Sequence, residues 1–181
     1  VFGERGYEAA TFQAIAVRAD LTRPAINHYF SSKSALYREV VRETNEAVVT
    51  ASIQCARRET TLIGRVSAFI EAARGAGSEN RAAAALLITV ALESQRHPDL
   101  SRGEPDSIHD IREFLAWAIN EAIERGELAD DADPAALTEL LVTVLLGVGF
   151  YAGFVGSRQE LGAVIGQLEQ LLADGLARPP R

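Results

Sequence analysis

Residues 11–30 read TFQAIAVRADLTRPAINHYF. Phe12, Ile15, Ala16 and Ala19 fall at helical spacing, so residues 11–19 read as one short amphipathic helix. The pattern breaks at Asp20-Leu21 and restarts at Thr22, a residue type that caps helix N-termini. Pro24 then sits in the first turn of a second helix ending near Tyr29, where its missing N–H costs nothing. A longer helix begins near Ser32 and runs to about Arg58, with Leu36, Val40 and Ala47 inward. Two short helices joined by a tight turn and followed by a long one describe a helix-turn-helix.

What the second helix exposes points to its chemistry. With Leu21, Ile26 and Phe30 packed inward, Arg23, Ala25, Asn27, His28 and Tyr29 face outward or sideways. Arginine can read guanine O6/N7 and asparagine adenine N6/N7 in the major groove. Tyrosine, histidine and lysine can hold phosphates and set register without reading sequence.

Working outward, nearly every other segment has helical spacing and none alternates with period two. Helices read as roughly 61–74, 79–97, 105–125, 134–155 and 158–176. Asp133-Pro134 supplies an N-cap followed by proline at the first helical position. Ser157 and Glu160 have capping-box spacing ahead of an apolar stripe, Leu161, Val164, Ile165, Leu168, Leu171 and Leu172. The fold class is all-α.

These stretches carry a family resemblance. FGERGYEAAT (2–11) resembles the end of the first helix and the entry to the second in TetR-family regulators. FQAIAVRA (12–19) resembles their second helix, and LTRPAINHYFSSKSAL (21–36) their recognition helix and the start of the fourth. Residues 2–42 align without gaps. The resemblance implies a helix-turn-helix DNA-binding domain over 1–44, its first helix truncated, and a helical ligand-sensing and dimerisation domain over 45–181. It implies a homodimer on a palindromic operator, released by a small-molecule effector and acting as a cytoplasmic repressor. By the same resemblance Thr11 holds a phosphate and Gln13 reaches a base edge. Arg23, Pro24 and Ala25 meet the bases with Asn27 and His28 beside them, Thr22 joins the DNA-binding set at the helix start, and Tyr29 and Lys33 bind the backbone. Lys33 is the only lysine in the chain. Two residues depart from the family pattern: Asn27 stands where tyrosine is usual, and Asp20 where the turn usually has glycine. Aspartate tolerates the left-handed conformation better than most residues, so the turn is expected to survive.

The rest of the chain reads as sensor and interface. Leu140 to Gly156 contains no charged residue, and a helix apolar all round must be buried in a core or against a partner. The expected dimer interface comprises Leu141, Val144, Leu145, Val148, Gly149 and Gly153, with Leu161, Val164, Ile165, Leu168 and Leu172 of the following helix. That run approaches the length of a membrane span, but its glycines and the adjoining amphipathic helix favour a soluble protein. Gly147, Gly149 and Gly153 lack both the spacing and the preceding strand of a dinucleotide loop. A sensor needs a cavity with a few polar groups. The candidates are Phe69, Thr89, Glu93, His97, His109, Phe114, Trp117, Asn120, Phe150 and Tyr151, with Phe114 and Trp117 the preferred pair and Phe154 a further aromatic.

The net charge of −7 does not exclude nucleic acid, because local field decides contact. Residues 1–44 hold Arg5, Arg18, Arg23, Lys33, Arg38 and Arg42 against five acids, a balance of +1 that leaves −8 for the remainder. Cys55 is the only cysteine, which rules out an intrachain disulfide and a cysteine zinc site; a free cysteine in a helix reads as a small buried hydrophobe. His97, Asp99, His109 and Asp110 lack recognised ligand spacing, so neither metal nor cofactor is expected. Glu4, Arg5 and Glu8 break up the first apolar residues, which argues against a signal peptide, and Val1-Phe2-Gly3 reads as the tail of an element already under way. The chain has no nucleophile–base pair or phosphate loop, so an enzyme is not expected. The competing reading is a helical adaptor that keeps the helix-turn-helix as scaffold.

Overall fold

The structure is a computed structural model that describes residues 1–76, 81–96, 106–128 and 131–176. Among the described residues every regular element is a helix. Three short helices, α1 (Phe2–Ala9), α2 (Phe12–Arg18) and α3 (Arg23–Tyr29), precede α4 (Lys33–Asn45). The chain continues through a π-turn (Glu46–Thr50) into α5 (Ala51–Ala56), making one rod from Lys33 to Ala56. Then follow α6 (Leu62–Ala76), α7 (Arg81–Arg96), α8 (Ser107–Glu124), α9 (Pro134–Phe150), a second π-turn (Tyr151–Val155) and α10 (Arg158–Leu176).

Local chemistry accounts for the helix starts. Thr11, Thr22 and Ser32 each accept a hydrogen bond from the backbone N–H three residues on, at 3.1, 3.3 and 3.1 Å. Asp106 and Asp133 cap α8 and α9, the latter with proline in the first turn. Ser157 and Glu160 form the reciprocal capping box: Ser157 N donates to Glu160 Oε2 and Glu160 N to Ser157 Oγ. Each cap contributes about 1 kcal/mol.

Packing organises the helices around two apolar cores. The smaller holds Phe2, Ala10, Ala16, Ile26, Leu36, Tyr37 and Val41, and Leu86 of α7 joins it from outside the first four helices. The larger is built on residues such as Leu62, Val66, Phe114, Leu115, Ile119 and Leu141. Helix α7 bridges the two. Gly3 lets α1 approach until a Cβ there would lie 2.9 Å from Leu86 N, and Gly153 lets the second π-turn approach Ala85 N equally closely, at 2.7 Å. A side chain at either crossing would collide with backbone, which moves far less readily than a flexible side chain.

Several inward assignments change. Leu21 is 50% exposed rather than packed. Ala47 and Cys55 also face solvent. The buried line of the rod runs Val41, Asn45, Val49, Ser52, Ala56 at ordinary helical spacing, and Ala47 and Cys55 fall off it. Asn45 is buried there, its side chain linked to Ser107 and Asp110 at the start of α8.

The expected interface residues also divide. Leu141, Leu145, Gly153, Leu161 and Ile165 are buried within the chain's own core. Leu168 and Leu172 pack half-buried against that core, Val144 is half-buried, and Val148 and Gly149 line an internal cavity. Val164 does face outward, in company with Leu140, Phe150, Phe154, Val155 and Leu171. A helix packed on one side only cannot turn every apolar position to a partner. Pro134–Val155 is long and apolar enough to cross a membrane by length and composition, a test that core helices of soluble proteins also pass; one side of it enters the protein core.

Candidate nucleic-acid reading head and effector cavity

The joint between α2 and α3 is a complete helix stop. Asp20 adopts φ 53°, Asp20 N donates to Val17 O at 3.4 Å and Leu21 N to Ala16 O at 2.9 Å. This is the six-to-one and five-to-two pattern that ends a helix in a left-handed residue, here with aspartate in the place glycine usually takes. It turns the chain so that Thr22 can start α3 immediately.

Only Ile26 of α3 is buried and Ala25 partly so; Arg23, Pro24, Asn27, His28 and Tyr29 are exposed. Tyr29 is 75% exposed, its ring edge-on to His28 at 5.3 Å. Gln13 and the two capping threonines are also exposed. The structure therefore brings the expected reading residues onto one surface at the α2–α3 corner, with one difference. Lys33 Nζ donates to the carbonyls of Tyr7 and Glu8 at 2.9 and 3.2 Å and sits 4.3 Å above the Tyr7 ring. Its ammonium closes the carbonyl end of α1 and pins that helix to the start of α4. Arg18 is paired with Glu4, and Arg42 with Glu39 and Glu43, so these arginines offer less net charge than their number implies.

A cavity of about 650 Å³ lies behind the head. The rod contributes Tyr37, Val41, Val48 and Val49, and α6 adds Phe69, Ile70, Ala73 and Arg74. Helix α7 lines it with Arg81, Ala84, Leu87, Ile88, Ala91 and Ser94, a stripe at helical spacing opposite the face that holds α1. Ile108, Ile111 and Arg112 of α8, Leu145 and Gly149 of α9, and Leu161 and Ile165 of α10 complete the walls. Both π-turns reach it, through Val48 and Val49 and through Ala152.

Of the expected sensor residues, Phe69 alone lines the cavity. Phe114 is 1% exposed and stacks on Phe69 at 6.0 Å, one layer deeper in the core. Trp117 lies under two arginines, with Arg65 4.1 Å and Arg57 5.2 Å from its ring. Thr89 donates to Ala85 O and Gly3 O, and buried Glu93 packs beside Gly6, both on the α1 side of α7. His109 sits on the surface with Nε2 3.3 Å from Glu113. Asn120, Phe150 and Phe154 face solvent, while the Tyr151 ring lies against Gly156. His97 and Asp99 lie outside the described residues. Among the described residues no group of three His, Cys, Asp or Glu could hold a metal ion.

Tyr37 was not anticipated. It borders the cavity on one side and meets Phe2 and Tyr7 edge-on at 5.1 Å on the other. Burial first, then the charge of Glu93 and the neighbouring Tyr7, push its phenol from 10.0 up to about 12. Arg81 was missed as well; its Nε donates to Gly153 O at 2.9 Å, tying the start of α7 to the second π-turn. The signal for the cavity face was present as the spacing Ala84, Leu87, Ile88, Ala91, an aliphatic stripe that carries none of the polar or aromatic residues by which a ligand site is recognised in sequence.

Comparison with known proteins places two family models on the chain. "Bacterial regulatory proteins, tetR family" matches residues 1–40, and "BetI-type transcriptional repressor, C-terminal" matches residues 62–177. The HTH-type transcriptional regulator UidR of Escherichia coli (strain K12) is 24% identical over 148 residues, 82% of this chain and 74% of its own length. The HTH-type transcriptional activator FasR of Mycolicibacterium smegmatis is 38% identical over 72 residues, 40% of this chain and 33% of its own. Among solved structures, the ketosteroid transcriptional regulator KstR2 of Mycobacterium tuberculosis superposes with a TM-score of 0.77 at 20% identity, covering 98% of this chain and 89% of that one.

Proposed function

The chain belongs to the TetR family of bacterial transcriptional regulators, and from that premise we propose that it is a repressor released from its operator by a small molecule. One observation carries the proposal: a single cavity touches both the rod that carries the reading head, at Tyr37, Val41, Val48 and Val49, and helices α6 to α10 of the body. A ligand filling it presses on the element that positions α3. A ligand shifts such an equilibrium only through its differential affinity for the two arrangements, and the coupling is reciprocal.

The domain division at residues 44 and 45, cytoplasmic action and the assignment of Thr11, Gln13, Thr22, Arg23, Pro24, Ala25, Asn27, His28, Tyr29 and Lys33 to DNA belong to the same reading. So does homodimerisation through the exposed apolar side of α9 and α10, a surface that monomeric soluble proteins rarely leave bare. A two-fold dimer presents two α3 helices to half-sites roughly 34–36 Å apart.

A footprint on the DNA upstream of the protein's own gene tests it. Protection of a palindrome is expected, as is loss of that protection with an effector bound in the cavity. Protection that persists under saturating ligand, or protection seen only with ligand, would refute release.

A further inference from the structure

The walls of the cavity describe the molecule that fits it. Apart from Tyr37 and Phe69 the apolar lining is aliphatic, which offers neither a stacking slot for a planar aromatic nor an aromatic cage for a cation. The cavity is also long. It follows α7 from Arg81 to Ser94, thirteen residues on, which at the helical rise is about 20 Å. A volume of about 650 Å³ over that length makes a narrow channel rather than a sphere.

Its charges are placed unevenly. Arg112 and Asp106 stand toward one end; Arg112 is held by both carboxylate oxygens of Glu139, at 2.6 and 3.3 Å, and Asp106 is occupied in capping α8. Arg74 on the α6 wall is paired with Glu71. At the opposite end Arg81 spends Nε on the Gly153 carbonyl, and among the described residues no carboxylate pairs with it. The nearby Glu160 carboxylate is committed to the amide of Ser157. Arg81 also begins a sixteen-residue helix, whose dipole adds positive potential at the same place.

We propose that the effector is an elongated aliphatic carboxylate, its anionic head on Arg81 and its tail lying along α7 toward Tyr37 and Val41. This rests on the reading of the cavity as the effector site. The head supplies orientation through a charge-assisted bond, and the tail supplies affinity through its buried methylenes. The tail end, not the head, meets the rod that bears the reading helix. Chain length therefore governs the switch, and charge governs entry.

Calorimetric titration without DNA tests the assignment with three probes of equal tail: decanoate, decan-1-ol and decyltrimethylammonium. Decanoate binds at least about tenfold tighter than the other two, consistent with one charge-assisted pair. In the series from hexanoate to dodecanoate, affinity rises with length until the channel is full. Arg81→Gln abolishes the preference for carboxylate, so that decanoate binds that variant no tighter than decan-1-ol does, and Arg81→Lys retains much of the preference. Arg81 is exposed at a helix start, so both variants are expected to fold, which circular dichroism checks. Equal affinity for the three heads, selectivity that survives Arg81→Gln, or no binding at any chain length would overturn the proposal. Operator release is measured separately: carboxylate-selective binding that leaves DNA affinity unchanged supports this assignment and refutes the switch.

Discussion

Arg23 and Lys33 differ in what they touch, and the DNA roles proposed for them can be told apart by measurement. Arg23 opens α3 with its side chain in solvent, and the proposed function has it read a base edge. Arg23→Ala should cost about 1–3 kcal/mol on the preferred operator and relax the preference at one base position. Lys33 has two of its donors on the carbonyls of Tyr7 and Glu8, so Lys33→Ala also loosens α1 from α4. Thermal denaturation without DNA should show a loss of about 1 kcal/mol, since the site is partly exposed. Binding to all sequences should weaken together. If Lys33→Ala leaves stability untouched, the contact with α1 has no energetic weight.

Tyr37 gives a pH signature. Its folded phenol titrates at about 12 against 10.0 unperturbed. The raised value means that its contribution to stability is complete below pH 10 and is lost as pH climbs toward 12. Two units correspond to roughly 2–3 kcal/mol. The Tyr37→Phe variant should lose less stability than the parent over that interval, followed by denaturant midpoints. Parallel curves would show that the site does not hold the phenol neutral.

Helix α7 is the element on which head and body both rest. Gly3 seats α1 on one side of it and Gly153 seats the π-turn on the other. An alanine at position 3 must push α1 outward, because the atoms it would meet are backbone of Ala82 and Leu86. Gly3→Ala should therefore destabilise by about 1–3 kcal/mol, the usual range for overpacking. It should also weaken operator binding although α3 is unchanged. Full operator affinity in that variant would mean that the docking of α1 on α7 does not set the position of the reading helix. Helix α7 is apolar around most of its circumference from Ala82 to Leu92. Two covered faces, one against α1 and one against the cavity, explain it.

Across the whole molecule, the apolar positions of α9 and α10 serve three masters: the chain's own core, the cavity and the outer face. Leu141 and Val142 belong to the first, Val148 and Gly149 to the second, Phe154 and Leu171 to the third. The outer face is the part available to a second copy. The double variant Phe154→Asp with Leu171→Glu should sediment as a monomer with its helical content intact, because neither residue is buried in the chain. Its operator affinity should fall by about two orders of magnitude or more as the two half-sites cease to be engaged together. A dimer that survives this double change would place the interface elsewhere.

The elements themselves were determined by sequence, because their signals are local. Threonine, serine and aspartate caps, Pro24 and Pro134 in first turns, and the Ser157–Glu160 box act within one turn of chain. The turn at Asp20 closes with Asp20 N donating to Val17 O and Leu21 N donating to Ala16 O. The exposed set on α3 followed from the same periodicity. Tertiary structure alone decided the cavity, the spending of Lys33 on α1, which face of the rod is covered, and the sorting of leucines among core, void and surface. Burial responds to apolar area without regard to what lies opposite. Periodicity therefore reports that a position is covered, whereas its neighbour across the packing, or the absence of one, depends on helices far away in the chain.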